Sequence, residues 1–181
     1  FLLTIFLMSN GINAIFSSFE YSYHITINRS FFKQYFVASL VSIFLALLLL
    51  LTIVIIVFSE QFIWDLSKEE FLSNGVFWVE TIRSIIFIIL VYFVIAILYY
   101  FGIKKGKSIH FFSIGALVTT MLFVLTTYLF GVYITNFSNY NELYGSIGAL
   151  LILMLYIWIN SNLLLLGFEL NATLKTLRLK E

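Results

Sequence analysis

The chain has 181 residues, of which 62% are hydrophobic and 10% are charged, with a formal net charge of +1 and a mean hydropathy of +1.06. Soluble domains carry about 25% charged residues, so this composition excludes an ordinary soluble enzyme and predicts a membrane protein. The chain contains no cysteine, which excludes disulfides, thiolate zinc sites and thiol catalysis.

The first 34 residues hold no complete membrane span. Residues 1–8 are apolar but lack a basic leading segment, so we interpret them as the end of a truncated span and not as a signal peptide. Within residues 9–34, apolar side chains recur at helical spacing, at Ile12, Ile15, Phe16 and Phe19. This pattern predicts a cytoplasmic amphipathic connection that either lies at the membrane surface or packs on neighbouring helices.

Four apolar stretches follow, each long enough to cross the ~30 Å hydrocarbon core of a bilayer as a helix. They lie at 35–58, 77–101, 111–133 and 146–170, and a tail at 171–181 ends the chain. The sequence therefore predicts a single all-α membrane domain over 1–181. Its fold class is a polytopic integral membrane helical bundle with four complete transmembrane helices, an N-terminal remnant of another span and an amphipathic segment.

Basic residues predict the orientation of these spans. Eight of the ten Lys and Arg residues lie in alternate connections, at Arg29, Lys33, Lys104, Lys105, Lys107, Lys175, Arg178 and Lys180. By the positive-inside rule, these three segments and the C-terminus are cytoplasmic. The acidic loop between residues 60 and 80 and the turn at 136–144 are then expected outside.

Three sequence blocks near the C-terminus carry a resemblance to a known family. They read NYN at 139–141, YGSIGA at 144–149 and LGFELNA at 166–172. In this order and spacing they resemble the C-terminal signature of the YihY/virulence factor BrkB family, formerly labelled ribonuclease BN. The resemblance implies a bacterial inner-membrane protein. Because family members usually have six spans, it also implies that this chain is a C-terminal two-thirds fragment.

Polar side chains within the last span are the strongest candidates for function, because polar groups are expensive inside a membrane. Helical geometry places Asn162 on one face with Glu169, and Asn160 on another face with Asn171. These four residues either form a polar track for a substrate or an ion, or supply hydrogen bonds between helices at ~0.6 kcal/mol each. Glu169 is either a buried group that exchanges protons or a solvated carboxylate at the inner interface.

Small residues predict where helices approach one another closely. In the 111–133 span they lie at Gly115, Ala116, Thr119 and Thr120, and we expect this face to pack against the last span. Gly145 and Gly148 permit a tight chain reversal where the last span begins.

Glu80 and Arg83 lie three residues apart near the start of the 77–101 span, so both can face one side of a helix. We interpret them as an outer ion pair, of structural value or as part of a gate.

Metal-assisted RNA hydrolysis needs carboxylates or histidines clustered around a shared water. The two histidines, His24 and His110, lie far apart in the sequence, and most of the acids fall in the predicted external loop. No basic groove interleaved with stacking aromatics is evident either. We therefore expect no catalytic residue, metal, cofactor or nucleic-acid partner, and we reject the older ribonuclease label.

Two functions remain open. One is a transporter or translocator in envelope biology, and the other is a non-transporting scaffold for envelope assembly or virulence-associated resistance. The lipid bilayer is the expected partner, a homo-oligomer is compatible with the packing faces, and no residue pattern names a substrate. A solvent-connected cavity lined by Asn162 and Glu169 would favour transport, whereas a tightly closed bundle would favour the scaffold.

Overall fold

A computed structural model describes residues 2–22, 31–68, 75–102, 111–136 and 146–178. These residues form five helices, α1 (Leu2–Ser22), α2 (Phe31–Lys68), α3 (Gly75–Gly102), α4 (Ile114–Asn136) and α5 (Ser146–Arg178). Within the described ranges, four segments are long and apolar enough to cross a membrane, at Phe32–Phe58, Glu80–Gly102, Ile114–Asn136 and Ile147–Leu177. The predicted fold class, an all-α bundle with four transmembrane helices, is confirmed.

Two helices continue past the predicted ends of their spans. We predicted a loop from residue 59 and a tail from residue 171, but α2 continues to Lys68 and α5 continues to Arg178. Neither extension contains glycine or proline, so nothing in the sequence stops the helix at the edge of the hydrocarbon core. As a result, Asn171 belongs to the body of α5 and not to a tail.

The start of α4 is fixed by Ser113. The Ser113 hydroxyl accepts a hydrogen bond from the Ala116 N–H at 3.2 Å, and its carbonyl accepts one from the Leu117 N–H at 3.2 Å. This is the pattern of a helix N-cap. It makes α4 begin at Ile114, three residues after the predicted start of the span.

The N-terminal helix differs from the prediction in its continuity. We predicted a stub ending at residue 8 and a separate connection from residue 9, but α1 runs unbroken through both. Its predicted apolar face is buried at Ile12, Phe16 and Phe19, and α1 packs on α2, α3 and α5. This burial favours the alternative in which the segment packs on neighbouring helices. The part of the connection at 23–30 lies outside the described residues.

An aromatic cluster joins α1, α3 and α5. The Phe19 and Phe168 rings stack with centroids 4.1 Å apart, and the Tyr99 ring meets them edge-on at 5.6 and 5.7 Å. All three side chains are almost completely buried. The cluster holds the Tyr99 hydroxyl against α4 and α5, where the polar contacts of the bundle lie.

Candidate functional site

A line of polar side chains follows the contact between α4 and α5, with one member from α3. We call it the polar seam, and it consists of Tyr99, Ser113, Thr119, Thr127, Tyr156, Asn160 and Asn171. On α5, the positions that meet the seam are 156, 160, 164, 167 and 171, which recur every three or four residues and so share one helix face. Asn160 and Asn171 are 8% and 7% exposed, so the face that the sequence predicted for them points into the bundle.

Asn171 binds the first turn of α4. Its Oδ1 accepts a hydrogen bond from the Gly115 N–H at 2.7 Å, and its Nδ2 donates to the Ser113 hydroxyl at 2.9 Å. The first four N–H groups of a helix have no partner within that helix, so each needs one from elsewhere. Asn171 therefore completes the cap of α4 from α5 and ties the two helices together at this end.

Tyr99 joins three helices one turn further along the seam. Its hydroxyl donates to the Leu164 carbonyl at 2.6 Å and lies 2.8 Å from Thr119 Oγ1, which in turn lies 2.7 Å from the Gly115 carbonyl. Tyr99 and Thr119 each have one hydroxyl proton, and there are three contacts. At any moment, therefore, only two of the three contacts can be hydrogen bonds. Both bonds between helices form when Thr119 donates to Tyr99 and Tyr99 donates to Leu164. The Gly115 carbonyl then keeps only its helical partner.

The close approach of α4 and α5 at this point depends on two glycines. A methyl group added to Gly167 would overlap Thr119 Oγ1 and come within 2.7 Å of the Tyr99 hydroxyl. One added to Gly115 would overlap the Gly167 carbonyl and the Asn171 side chain. Small residues allow such backbone contact between membrane helices. Association of helices inside a bilayer depends on van der Waals packing, because the hydrophobic effect does not drive it there.

The opposite end of the seam, at Tyr156 and Asn160 of α5, is less completely bonded. Thr127 and Tyr156 share a hydrogen bond of 2.8 Å between α4 and α5. Asn160 Nδ2 donates to the Tyr156 carbonyl of its own helix at 2.9 Å. Its Oδ1 is buried and has no partner within the described residues. Asn160 is therefore buried in the bundle without the inter-helix bond that we considered for it.

The remaining predicted residues take different positions. The small residues of α4, Gly115, Ala116, Thr119 and Thr120, are buried, and so is Gly148 on α5, whereas Gly145 lies outside the described residues. Asn162 and Glu169 are exposed on α5, on the side opposite Asn160. Glu80 and Arg83 are exposed on α3, and their outer ion pair stays a prediction.

A second feature is an apolar groove between α2 and α3, with a cavity volume of about 880 Å³. Its lining includes Val37, Leu48 and Ile55 from α2 and Leu90 and Phe101 from α3. The lining residues of α2 run from 37 to 55, which corresponds to about 27 Å along the helix. Several of them, including Ile55 and Phe101, are exposed, so the groove opens on the outer surface of the bundle.

Neither Asn162 nor Glu169 lines this groove. Within the described residues, no three His, Asp or Glu side chains are grouped so that they could hold a metal ion. His24 and His110 lie outside the described ranges.

The four spans and the polar seam define a polytopic helical membrane protein. The chain belongs to the virulence factor BrkB family, whose model matches residues 1–181. The resemblance that rested on three short C-terminal blocks is therefore confirmed.

Named relatives agree with this membership. The ribonuclease-like protein YfkH of Bacillus subtilis (strain 168) is 30% identical over 171 residues, which cover 92% of this chain and 61% of YfkH. A UPF0761 membrane protein of Psychrobacter sp. (strain PRwf-1) is 35% identical over 77 residues, 42% of this chain and 14% of that protein. One from Idiomarina loihiensis is 26% identical over 129 residues, 68% of this chain and 43% of that protein. The chain thus spans less than two thirds of the length of these relatives. No solved structure matches it.

Proposed function

We propose that the protein binds the acyl chains of a membrane lipid in the groove between α2 and α3 and moves or presents that lipid in the bacterial envelope. The observation that carries the proposal is the groove itself. Its helical lining residues lie within the spans Phe32–Phe58 and Glu80–Gly102, at the depth of the hydrocarbon core. A surface groove at that depth, lined by aliphatic and aromatic side chains, contacts lipid tails in a bilayer.

The energetics of such a site differ from those of a pocket in water. A lipid tail leaves one apolar environment for another, so binding gains little from the hydrophobic effect and depends on van der Waals packing against a preformed concave surface. Selectivity must then come from the polar headgroup. Lys33 is exposed and precedes Val37 by one helical turn, so it lies on the groove side of α2 at one end. An ammonium group there fits an anionic phospholipid headgroup.

The polar seam supports this choice over a solute channel between α4 and α5. The described hydroxyls and amides of the seam are engaged mainly with one another and with backbone carbonyls. Small residues bring the two backbones into contact at Gly115 and Gly167. A water-filled path needs polar groups that face open space. A route past Asn162 and Glu169 would need a further surface to enclose it, because both residues lie on the outside of α5.

We also propose in which membrane the protein lies and which way its helices cross it. The charge distribution supports a bacterial cytoplasmic membrane protein with its C-terminus and Lys33 on the inner side. The proposal includes no enzymatic step. The ribonuclease-like name belongs to YfkH, and we do not extend it to this chain because RNA hydrolysis needs a cluster of acids or histidines around a shared water.

Lipid movement in proteoliposomes tests the proposal. A fluorescent phosphatidylglycerol and a fluorescent phosphatidylcholine are each placed in one leaflet, and their appearance in the other is followed by quenching, with cation flux measured in parallel. Leu90→Trp fills the groove and should lower lipid movement at least tenfold. Leu125→Trp, at an exposed site on α4, is the matched control and should not lower it. Lys33→Gln should reduce movement of the anionic lipid more than that of the zwitterionic lipid.

Lipid movement that is unchanged in Leu90→Trp would contradict the role of the groove, and cation flux without lipid movement would favour a solute transporter. The second candidate is a membrane scaffold, which the closed contact between α4 and α5 favours. It predicts neither lipid movement nor cation flux, with Leu90→Trp as active as the wild type in the cell.

A further inference from the structure

Asn162, at the midpoint of the α5 span, has a polar side chain that points away from the polar seam. The α5 span covers Ile147–Leu177, and Asn162 is its central residue. Asn162 is exposed, whereas Asn160, two residues earlier, is buried in the bundle. A step of two residues turns a helix by about 200°, so the two amides point in nearly opposite directions. Asn162 therefore lies near the middle of the membrane, on a face of α5 that the other described residues leave uncovered.

An amide at that depth needs more hydrogen bonds than α5 gives it. Its Nδ2 donates to the Trp158 carbonyl of its own helix at 2.7 Å. The structure gives its Oδ1 no partner among the described residues. Primary amides carry two N–H donors and an oxygen with two lone pairs, and hydrocarbon satisfies none of them. Polar side chains at the centre of a membrane accordingly face protein or water and not lipid.

We infer that this outer face of α5 is the contact surface between two copies of the chain, closed by a reciprocal pair of Asn162 amides. The face has large apolar side chains on both sides of Asn162, and Leu155, Trp158 and Leu166 are all exposed. Copies inserted in the same direction place Asn162 at the same depth. A two-fold axis along the membrane normal then brings donor to acceptor and acceptor to donor.

Self-complementarity favours a second copy over a different partner. An amide is both donor and acceptor, so two identical amides satisfy each other without any further polar group, as they do at the polar positions of coiled coils. Glu169 lies on the same face, about 10 Å further along the axis. It lies six residues before Lys175, where helices that cross at Asn162 have begun to diverge. The inference is independent of the lipid groove, which lies on α2 and α3.

Cysteine cross-linking tests this surface, because the wild-type chain contains no cysteine. Leu155→Cys and Leu166→Cys lie on either side of Asn162 on the same face and keep the amide intact. In liposomes of the purified protein, a membrane-permeant oxidant should convert both to a disulfide-linked species of twice the chain mass. Leu125→Cys, the central residue of the α4 span and also exposed, is the depth-matched control and should remain monomeric.

A second measurement follows the affinity by energy transfer between labelled copies as the protein is diluted in lipid. Asn162→Leu should weaken dimerisation about tenfold, and Asn162→Gln should restore part of the loss. No cross-link from either flanking cysteine, or equal cross-linking of Leu125→Cys, would overturn the inference. So would a cross-linked product of another mass in native membranes, which would show that a different protein covers this face. Undiminished association of Asn162→Leu would overturn the role of the amide.

Discussion

Replacing Gly167 by alanine tests the closest contact in the bundle. The added methyl group would overlap Thr119 Oγ1 and approach the Tyr99 hydroxyl to 2.7 Å. The helices must move apart or Thr119 and Tyr99 must turn away from each other. Overpacking of this kind costs about 1–3 kcal/mol, and each hydrogen bond lost adds about 1 kcal/mol. We therefore expect Gly167→Ala to lower the free energy of unfolding by about 3 kcal/mol, roughly a hundredfold or more in the folded-to-unfolded ratio.

The assay is titration with SDS in mixed micelles, followed by helical circular dichroism. Gly131→Ala on α4 is the matched control, since nothing lies within 4 Å of the added methyl group, and it should be neutral or slightly stabilising. Thr119→Ala removes the main overlap. The double variant Gly167→Ala/Thr119→Ala should therefore be more stable than the sum of the two single effects by about 1–2 kcal/mol. Equal stability of Gly167→Ala and Gly131→Ala, or strict additivity in the double variant, would refute this packing.

Three further predictions follow from the seam and the charge distribution. Asn171→Leu should lower the free energy of unfolding by about 1–3 kcal/mol in the same titration, because it leaves the Gly115 N–H without its partner. Asn160→Leu should be neutral or stabilising, because it removes a buried oxygen that has no partner among the described residues, and equal losses in the two variants would contradict this. Tyr99→Phe should cost about 1 kcal/mol with an unchanged circular dichroism spectrum, and a cost near zero would show that the three-helix contact adds no stability. In right-side-out vesicles, an impermeant maleimide should label Ser67→Cys but not Ser108→Cys, and equal labelling of both would contradict the orientation.

Much of the architecture follows from local physical rules. Each span is predicted from the length of its apolar stretch, because a bilayer sets a minimum length for any helix that crosses it. The shared face of Asn160 and Asn171 follows from the helical period, and the small residues of α4 indicate a close contact without naming its partner. Helices α2 and α5 continue past the predicted ends of their spans, because the edge of the hydrocarbon core does not stop a helix and neither extension contains glycine or proline.

The site itself depends on contacts that no local pattern specifies. From the sequence, Asn171 is a candidate for a polar track. Only the structure shows that the start of α4 lies beside it and that its side chain caps that helix. Tyr99 carries no distinctive signal, because a tyrosine near the end of a span is typical of a membrane interface. Gly167 lies in the LGFELNA block, which indicates the family but does not indicate a contact with Thr119 of α4. The groove between α2 and α3 cannot be predicted from the sequence either. Its lining is aliphatic and aromatic, as are the side chains that face lipid, so only the gap between α2 and α3 distinguishes them.

The claim that the α2–α3 groove holds lipid tails is tested most directly by photolabelling. The purified protein is reconstituted with a phosphatidylglycerol that carries a photoreactive group midway along one acyl chain, irradiated, and mapped by peptide mass spectrometry. The account predicts labelling concentrated at groove-lining residues such as Leu48 and Leu90, lost in Leu90→Trp and retained in Leu125→Trp. Labelling spread evenly over the exposed apolar residues of α2, α3, α4 and α5, and unchanged by Leu90→Trp, would contradict it.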